Sequence, residues 1–223
     1  MSALRVGDIG DYIYRPSMDR SEYLHSVEEC AEQLAKQRIV PLGLGGDHTV
    51  TLPLATGVAD AYGEIQVLQL DPHHDYSELP KGVAPTHSNF ISFLTRSRRI
   101  RKVVQVGVRG FSSLLPSAPR GVVQSTVAGL PTCLEKGVPV YVTIDTDALD
   151  PSLAHAVSHP LPRGLTWDQL DTIAKALLEI DCPVVGIDWT EYDPDLDTPN
   201  FRTGMGIVCA LIRLLQVVEL QRK

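Results

Sequence analysis

Five short runs rich in valine and isoleucine alternate with longer amphipathic stretches along this chain, and three of the runs end in a knot of aspartate and histidine. The runs are 38–44 (RIVPLGL), 65–70 (IQVLQL), 102–108 (KVVQVGV), 138–144 (VPVYVTI) and 183–187 (PVVGI). They mostly lack the polar alternation of a half-exposed strand, which fits strands covered on both faces in a parallel sheet. The stretches 21–36, 49–61, 166–180 and 203–220 read as helices, and Thr166 with Gln169 is spaced like a capping box. Strands alternating with helices predict an α/β fold: a three-layer α/β/α arrangement around a mainly parallel sheet. Residues 111–127, with serine, proline and glycine, read as a loop or a loop with a short helix. A chain of 223 residues suits a single domain over 1–223 and buries a core without staples.

The carboxyl ends of strands in an open parallel sheet face one crevice, where ligands bind. The first run leads into Gly45-Gly46-Asp47-His48, the second into Asp71-Pro72-His73-His74-Asp75, and the fourth into Asp145-Thr146-Asp147-Ala148-Leu149-Asp150-Pro151. Taken singly, a histidine after a glycine turn is more often a core residue and a lone DxD more often a cap, whereas DxHxD after an apolar strand is a stronger sign, as often metal as not. Together they would gather Asp71, Asp75, Asp145 and Asp147 in one place. Four crowded carboxylates repel and take up protons. Two divalent cations would cancel their charge. In extended chain, alternate residues project to one side, so Asp71, His73 and Asp75 would serve adjacent ions, as would Asp145 and Asp147. An oxygen-rich shell with few imidazoles favours manganese over zinc or copper; iron, cobalt and nickel are further options.

These motifs resemble those of the ureohydrolases, the arginase/agmatinase family. GGDHT is similar to that family's GGDHS/T motif, DPHHD to its DxHxD motif, and TIDTDALDP to its SxDxDxxDP motif with Thr143 in the serine place. VQVGVRG and TGMGIVCALIRLL resemble it too. The resemblance implies a binuclear manganese hydrolase that cleaves a guanidino compound to an amine and urea. It implies six metal ligands. His48 and Asp75 would serve one ion, His73 and Asp147 the other, and Asp71 and Asp145 would lie between them. Asp75 would also orient the attacking water. GIDWTEYDP resembles the family's DxVExxP segment, which places Glu191 as the guanidinium-binding carboxylate. His87, in PTHSNF, resembles the active-site histidine that follows the second motif, with catalytic and substrate-binding roles. Asp150 and Pro151 read as turn formers, Trp189 as core, and His74, His155 and His159 as structural or substrate-loop residues.

The sequence departs from the family in three places. It begins where family members already have a strand and a helix, so an uncovered sheet edge is expected, with a homo-oligomer or a second subunit covering it. The glycine-rich loop usual after DALDP is replaced by SLAHAVSHP, and Trp189 and Thr190 stand for small aliphatics before Glu191. Arginine is therefore a poor expectation, and an agmatine-like or unusual guanidino compound a better one. Two alternatives stand beside it: a hydrolase of another amidine such as a formimino compound, and a non-catalytic subunit of the same fold. A net charge of −7 argues against nucleic acid or an anionic membrane as partner, and no apolar run approaches a membrane span. The basic run 96–102 reads as a solvated helix end. Four dispersed cysteines without a CxxC pair read as reduced thiols in a cytoplasmic protein.

Overall fold

The structure is a computed structural model that describes residues 5–109 and 117–222. Among these residues six strands form one sheet in the order β1-β6-β5-β2-β3-β4, every pair parallel. They are β1 (Leu42–Leu44), β2 (Ile65–Leu70), β3 (Ile100–Val106), β4 (Val122–Ser125), β5 (Val140–Asp145) and β6 (Val184–Thr190). The helices are α1 (Arg20–Lys36), α2 (Thr51–Tyr62), α3 (Phe90–Leu94), α4 (Leu130–Cys133), α5 (Trp167–Ile180) and α6 (Arg202–Gln221).

Strands β2, β5 and β6 are buried along their whole length, as apolar residues on both of their faces require. Their side chains alternate between two cores. Ile65, Val67, Val103 and Tyr141 face a layer built from Ala31 and Ala35 of α1, Ala55, Val58 and Ala59 of α2, and Phe90, Ile91 and Leu94 of α3. Leu68, Leu70, Val104, Val142 and Ile144 face α5 and α6 through Ile173, Leu177, Ile207, Leu211 and Leu214. Helix α5 starts at the expected capping box: Thr166 Oγ1 accepts from the Gln169 N–H at 3.2 Å, and Gln169 Oε1 accepts from the Thr166 N–H at 2.9 Å. The three-layer parallel α/β expectation holds, and the strands bring the three acidic clusters to one edge.

Three expectations need correction. Within 111–127 lies strand β4, paired to β3; as an edge strand with intermediate and exposed positions it lacks the apolar signature of its neighbours. Residues 110–116 of that stretch lie outside the described residues. The run 38–44 contributes only Leu42–Leu44, because Arg38 takes a left-handed backbone (φ 61°) and Pro41 has no N–H for a ladder. Finally, α6 is 20 residues long and apolar enough to cross a membrane by length and composition, contrary to the sequence reading. Its buried stripe of Ile207, Leu211, Leu214 and Val218 packs in the α5–α6 layer, which accounts for much of that apolarity.

Helices α1 and α2 approach so closely at Gly57 that an added Cβ would stand 2.2 Å from the Glu28 carbonyl oxygen and 2.9 Å from the Glu32 nitrogen. Backbone cannot retreat as a side chain can. Gly57→Ala is expected to destabilise the chain by about 1–3 kcal/mol, against the usual gain in helix propensity of up to ~1 kcal/mol. Urea denaturation midpoints check this, and a midpoint equal to or above wild type refutes the close approach.

Candidate metal centre

Each cluster is bent into place by the same local device. Asp71, one residue past β2, accepts the His73 N–H on Oδ1 at 2.6 Å. Asp145, the last residue of β5, accepts the Asp147 N–H at 2.8 Å. Asp47 accepts the Thr49 N–H at 2.8 Å and starts the short 3-10 turn His48–Val50. A short carboxylate that bonds its own chain two residues on makes a tight turn at a strand end. It also returns the second side chain of each motif toward the first.

The structure brings all six expected ligands together. His48 Nδ1 lies 3.0 Å from Asp71 Oδ2, 3.3 Å from Asp145 Oδ2 and 3.4 Å from Asp75 Oδ2. His73 Nδ1 lies 3.4 Å from Asp71 Oδ1 and 3.5 Å from Asp147 Oδ2. Two groups can each hold an ion, His48 with Asp71 and Asp75, and Asp71 with His73 and Asp147. Asp71 belongs to both and presents one oxygen to each histidine. All are buried except His73, which is half-buried.

The electrostatics of the cluster call for cations. Burial opposes a charge on His48, yet Asp145, Asp71 and Asp75 outweigh it and hold its pKa well above the imidazole range. Asp71 raises that of His73. Burial, then Asp71, lifts Asp75; burial, then Asp145, pushes Asp147 up to about 11. Burial would raise Asp71 as well, but His48 and His73 reverse this and hold it below the usual carboxylate range. The cluster therefore holds protons where ions would sit. Among the described residues, buried His48 Nδ1 and Asp147 Oδ1 have no hydrogen-bond partner, as metal-facing atoms would. The donor set fits a pair of hard divalent cations.

Glu191 follows β6 and reaches back to the first cluster: its Oε1 accepts the His48 N–H at 2.8 Å. Burial raises its pKa, opposed by that hydrogen bond and by the neighbouring His87. Glu191 and Asp75 both adopt left-handed backbone, φ 59° and 49°. For residues with a Cβ this is strained, and such strain gathers at functional sites. A cleft of about 420 Å³ opens above the ligands, lined by His48, His73, Asp75, Asp145, Asp147 and Glu191 on one side. His87, Ser88 and His159 lie at its exposed rim, with His74, Val108, Arg109 and Leu161 in its wall. His87 thus reaches the cleft, as expected, but stands apart from the ion-holding groups.

A supporting layer escaped the sequence reading. Asp188, Thr143, Gln69 and Gln105 occupy one register row across β6, β5, β2 and β3. They lie two residues before Thr190, Asp145, Asp71 and Gly107, hence directly beneath the ligands on the same face. Gln105 donates to Gln69 Oε1 at 2.7 Å and to the His74 carbonyl at 2.8 Å. Gln69 in turn donates to Asp71 Oδ2 at 2.8 Å and Asp75 Oδ2 at 3.1 Å. On the other side, Tyr141 and Thr143 donate to the wholly buried Asp188 at 2.6 Å each, and Thr51 at 3.1 Å. Thr143 Oγ1 lies 2.8 Å from His48 Nε2, so His48 turns Nδ1 to the carboxylates. Partners behind a ligand fix its orientation in this way. Glutamines inside a fully buried strand were the available signal, since buried amides require partners.

Other expectations are met: Trp189 is core, bonded through Nε1 to Thr146 Oγ1 at 2.9 Å, and Asp150 ties its own turn to the Arg163 and Gly164 N–H groups. His155 pairs with Asp197 at 3.5 Å. Of the histidines read as structural or substrate-loop residues, His74 and His159 line the cleft.

The arginase family model matches residues 1–120 and 115–215. The chain belongs to the arginase family. It is 38% identical over 165 residues to an N(1)-aminopropylagmatine ureohydrolase of Thermus thermophilus, covering 69% of this chain and 55% of that protein's length. An agmatinase of Neisseria meningitidis is 30% identical over 218 residues, covering 93% of this chain and 69% of the relative. The crystal structure of formimidoylglutamase from Bacillus subtilis superposes with a TM-score of 0.81 at 25% identity, over 96% of this chain and 72% of that one. This member of the family thus spans about half the length of the Thermus relative.

Metal uptake should be linked to protons. Asp75, Asp147, His48 and His73 all have folded-state pKa values above their ordinary ones. For a raised pKa, stability is lost as pH climbs from the unfolded value through the folded one, here from about 4 for the carboxylates and about 6.5 for the imidazoles. Metal-free protein should therefore melt lower at about pH 8.5 than at about pH 6, and Mn2+ should raise the melting temperature more at the higher pH. Calorimetric titration with Mn2+ should release protons. No proton release and a pH-independent thermal shift would show that no ions replace these protons.

Proposed function

We propose that this chain, as a single ureohydrolase domain over 1–223, hydrolyses the C–N bond of a small guanidino compound to an amine and urea. The observation that carries the reading is the pair of ligand groups sharing Asp71, with the Glu191 carboxylate beside them. The family membership supports it, as do relatives named ureohydrolase and agmatinase. His48, Asp71, His73, Asp75, Asp145 and Asp147 would hold two Mn2+ ions, a choice their oxygen-rich shell supports. Bound there, the ions would supply Lewis-acid activation of a water nucleophile at neutral pH.

The remaining chemistry falls to the chain. Glu191 Oε1 holds the His48 N–H, and among the described residues Oε2 takes no hydrogen bond, so one oxygen is left to pair with a planar cation. That pairing fixes the guanidinium carbon over the carboxylate floor. Asp75, held on Oδ2 by Gln69, accepts the water's proton and passes it toward the leaving nitrogen; His87 at the rim exchanges protons with solvent. The sum balances as a guanidinium plus water giving an ammonium and urea. A second reading, hydrolysis of a formimino compound, is favoured by the likeness to formimidoylglutamase and would give formamide in place of urea. We further assign the chain to the cytoplasm, in keeping with four unpaired cysteines. The open edge at β1, where Leu44 is 71% exposed, suits contact with another subunit in an oligomer.

Protein loaded with Mn2+ should release urea from at least one member of a guanidine panel. Glu191→Gln should lower kcat/KM by roughly 10- to 100-fold through loss of a charge-assisted pair. Asp147→Asn should halve the bound metal by elemental analysis while circular dichroism keeps the wild-type fold. Full metal occupancy without turnover of any guanidine or formimino compound overturns the reading.

A further inference from the structure

Helix α6 is apolar on two sides, and the fold covers one of them. Ile207, Leu211, Leu214 and Val218 pack into the core. About a third of a turn round the helix stand Phe201, Met205, Val208 and Ile212, each between 48% and 58% exposed, and half-buried Leu215 continues the line. Steps of four, three, four and three residues keep these side chains in one stripe, the spacing of a seam between two helices. Apolar residues scattered singly on a surface need no account, but a stripe along a helix does. Phe201 sharpens the point. It is held in left-handed backbone, φ 50°, which a bulky side chain adopts only at a cost. In a lone chain that cost places an aromatic ring in water.

The stripe looks away from α5, the main helical neighbour of α6. On the α5 side, Arg213 pairs with Asp171 at 3.1 Å and Gly206 abuts the Trp167 ring. The other flank lies toward the edge strand β1. Val40 and Leu42 pack against the same core layer as α6, and Arg222, just past the helix, donates to the Arg38 carbonyl at 3.1 Å. Leu44 is two residues beyond Leu42, hence on the same face of the sheet, and it is exposed. An open helix flank and an open strand edge therefore share one side of the molecule.

Charge selects the occupant. Arg202 opens α6 with no acidic residue in the first turn, and Glu219 lies near its end with no basic residue in the last turn. Each opposes the helix dipole. Among the described residues neither side chain has an ion-pair partner. An antiparallel copy of the same helix corrects both, because it sets the partner's Glu219 beside Arg202 and the partner's Arg202 beside Glu219. The stripe is in register for this. About the midpoint of the helix, Val208 meets the partner's Ile212, Met205 meets the partner's Leu215, and Phe201 meets the aliphatic stem of the partner's Glu219. A bilayer would cover the stripe but leave both end charges unpaired, and a net charge of −7 opposes anionic lipid.

We propose that the open flank of α6 is a two-fold interface, at which α6 packs antiparallel on the same helix of a second copy of this chain. The inference is independent of the hydrolase reading. It assigns the subunit contact to a helix face, and the same axis carries the open edge of β1 toward the partner's β1. Cys209 follows Val208 and is exposed on the outer flank of the stripe, so the axis brings it close to the partner's Cys209.

Sedimentation of the full chain should give an assembly with an even number of chains. Ile212→Glu should halve that number while circular dichroism and bound Mn2+ stay as in wild type. Arg202→Glu should weaken association by about three- to tenfold through two symmetry-related contacts, although it improves the start of its own helix. Adding Glu219→Arg to that variant should restore association. A short bismaleimide should join two chains through Cys209, and Cys209→Ser should abolish the link. A lone chain or an odd number of chains, an Ile212→Glu assembly of unchanged size, or a double charge variant no better than Arg202→Glu overturns the pairing. Wild-type binding to phosphatidylcholine vesicles that Ile212→Glu abolishes would assign the stripe to a membrane and overturn it as well.

Discussion

Asp71 sits at the carboxyl end of a central strand with no exposed surface, one oxygen toward His48 and the other toward His73. A carboxylate so placed is tolerable only with positive charge on both sides, from protons or from metal ions. Around it the chain brings three more carboxylates into a small, largely dry volume. The sheet makes this possible by its parallel sense alone: strands running the same way deliver their ends to one edge, whatever their distance in sequence. The two helical layers then bury the strands on both faces and exclude water from the base of the cluster.

The layer beneath the ligands makes that crowding specific. From Gln105 through Gln69, and from Tyr141 through Asp188 and Thr143, hydrogen bonds run inward and end on the groups that face the ion positions. Each donor has its acceptor chosen for it, so a carboxylate or imidazole above has one orientation. Asp188 remains acceptable at full burial because Tyr141, Thr143 and Thr51 all donate to it, against a burial that raises its pKa.

Much of this was legible in the sequence because strong periodicity and strong chemistry coincide. Runs such as 65–70 carry apolar residues on both faces, as interior strands do, and the six candidate ligands follow such runs closely. What was hidden was hidden for physical reasons. Strand β4 is half-exposed and carries no apolar run. The row Asp188–Thr143–Gln69–Gln105 exists only once register is set, and register is a tertiary property. His74 looked like a spare histidine beside His73; the Tyr76 backbone, not its own surroundings in sequence, decides which of its nitrogens is a donor. Apolar content alone misjudged α6, where a helix facing the core also carries exposed Met205, Val208 and Ile212.

The left-handed backbone at Asp75 and Glu191 has a consequence for how such a chain tolerates change. Glycine at either position would relieve on the order of 1–2 kcal/mol of conformational strain and bring no steric conflict of its own. The same replacement would take two carboxylates out of the cleft, with the hydrogen bonds that Glu191 accepts from His48 and Asp75 from Gln69. These two positions therefore set backbone strain against the carboxylates that the strain carries into the cleft.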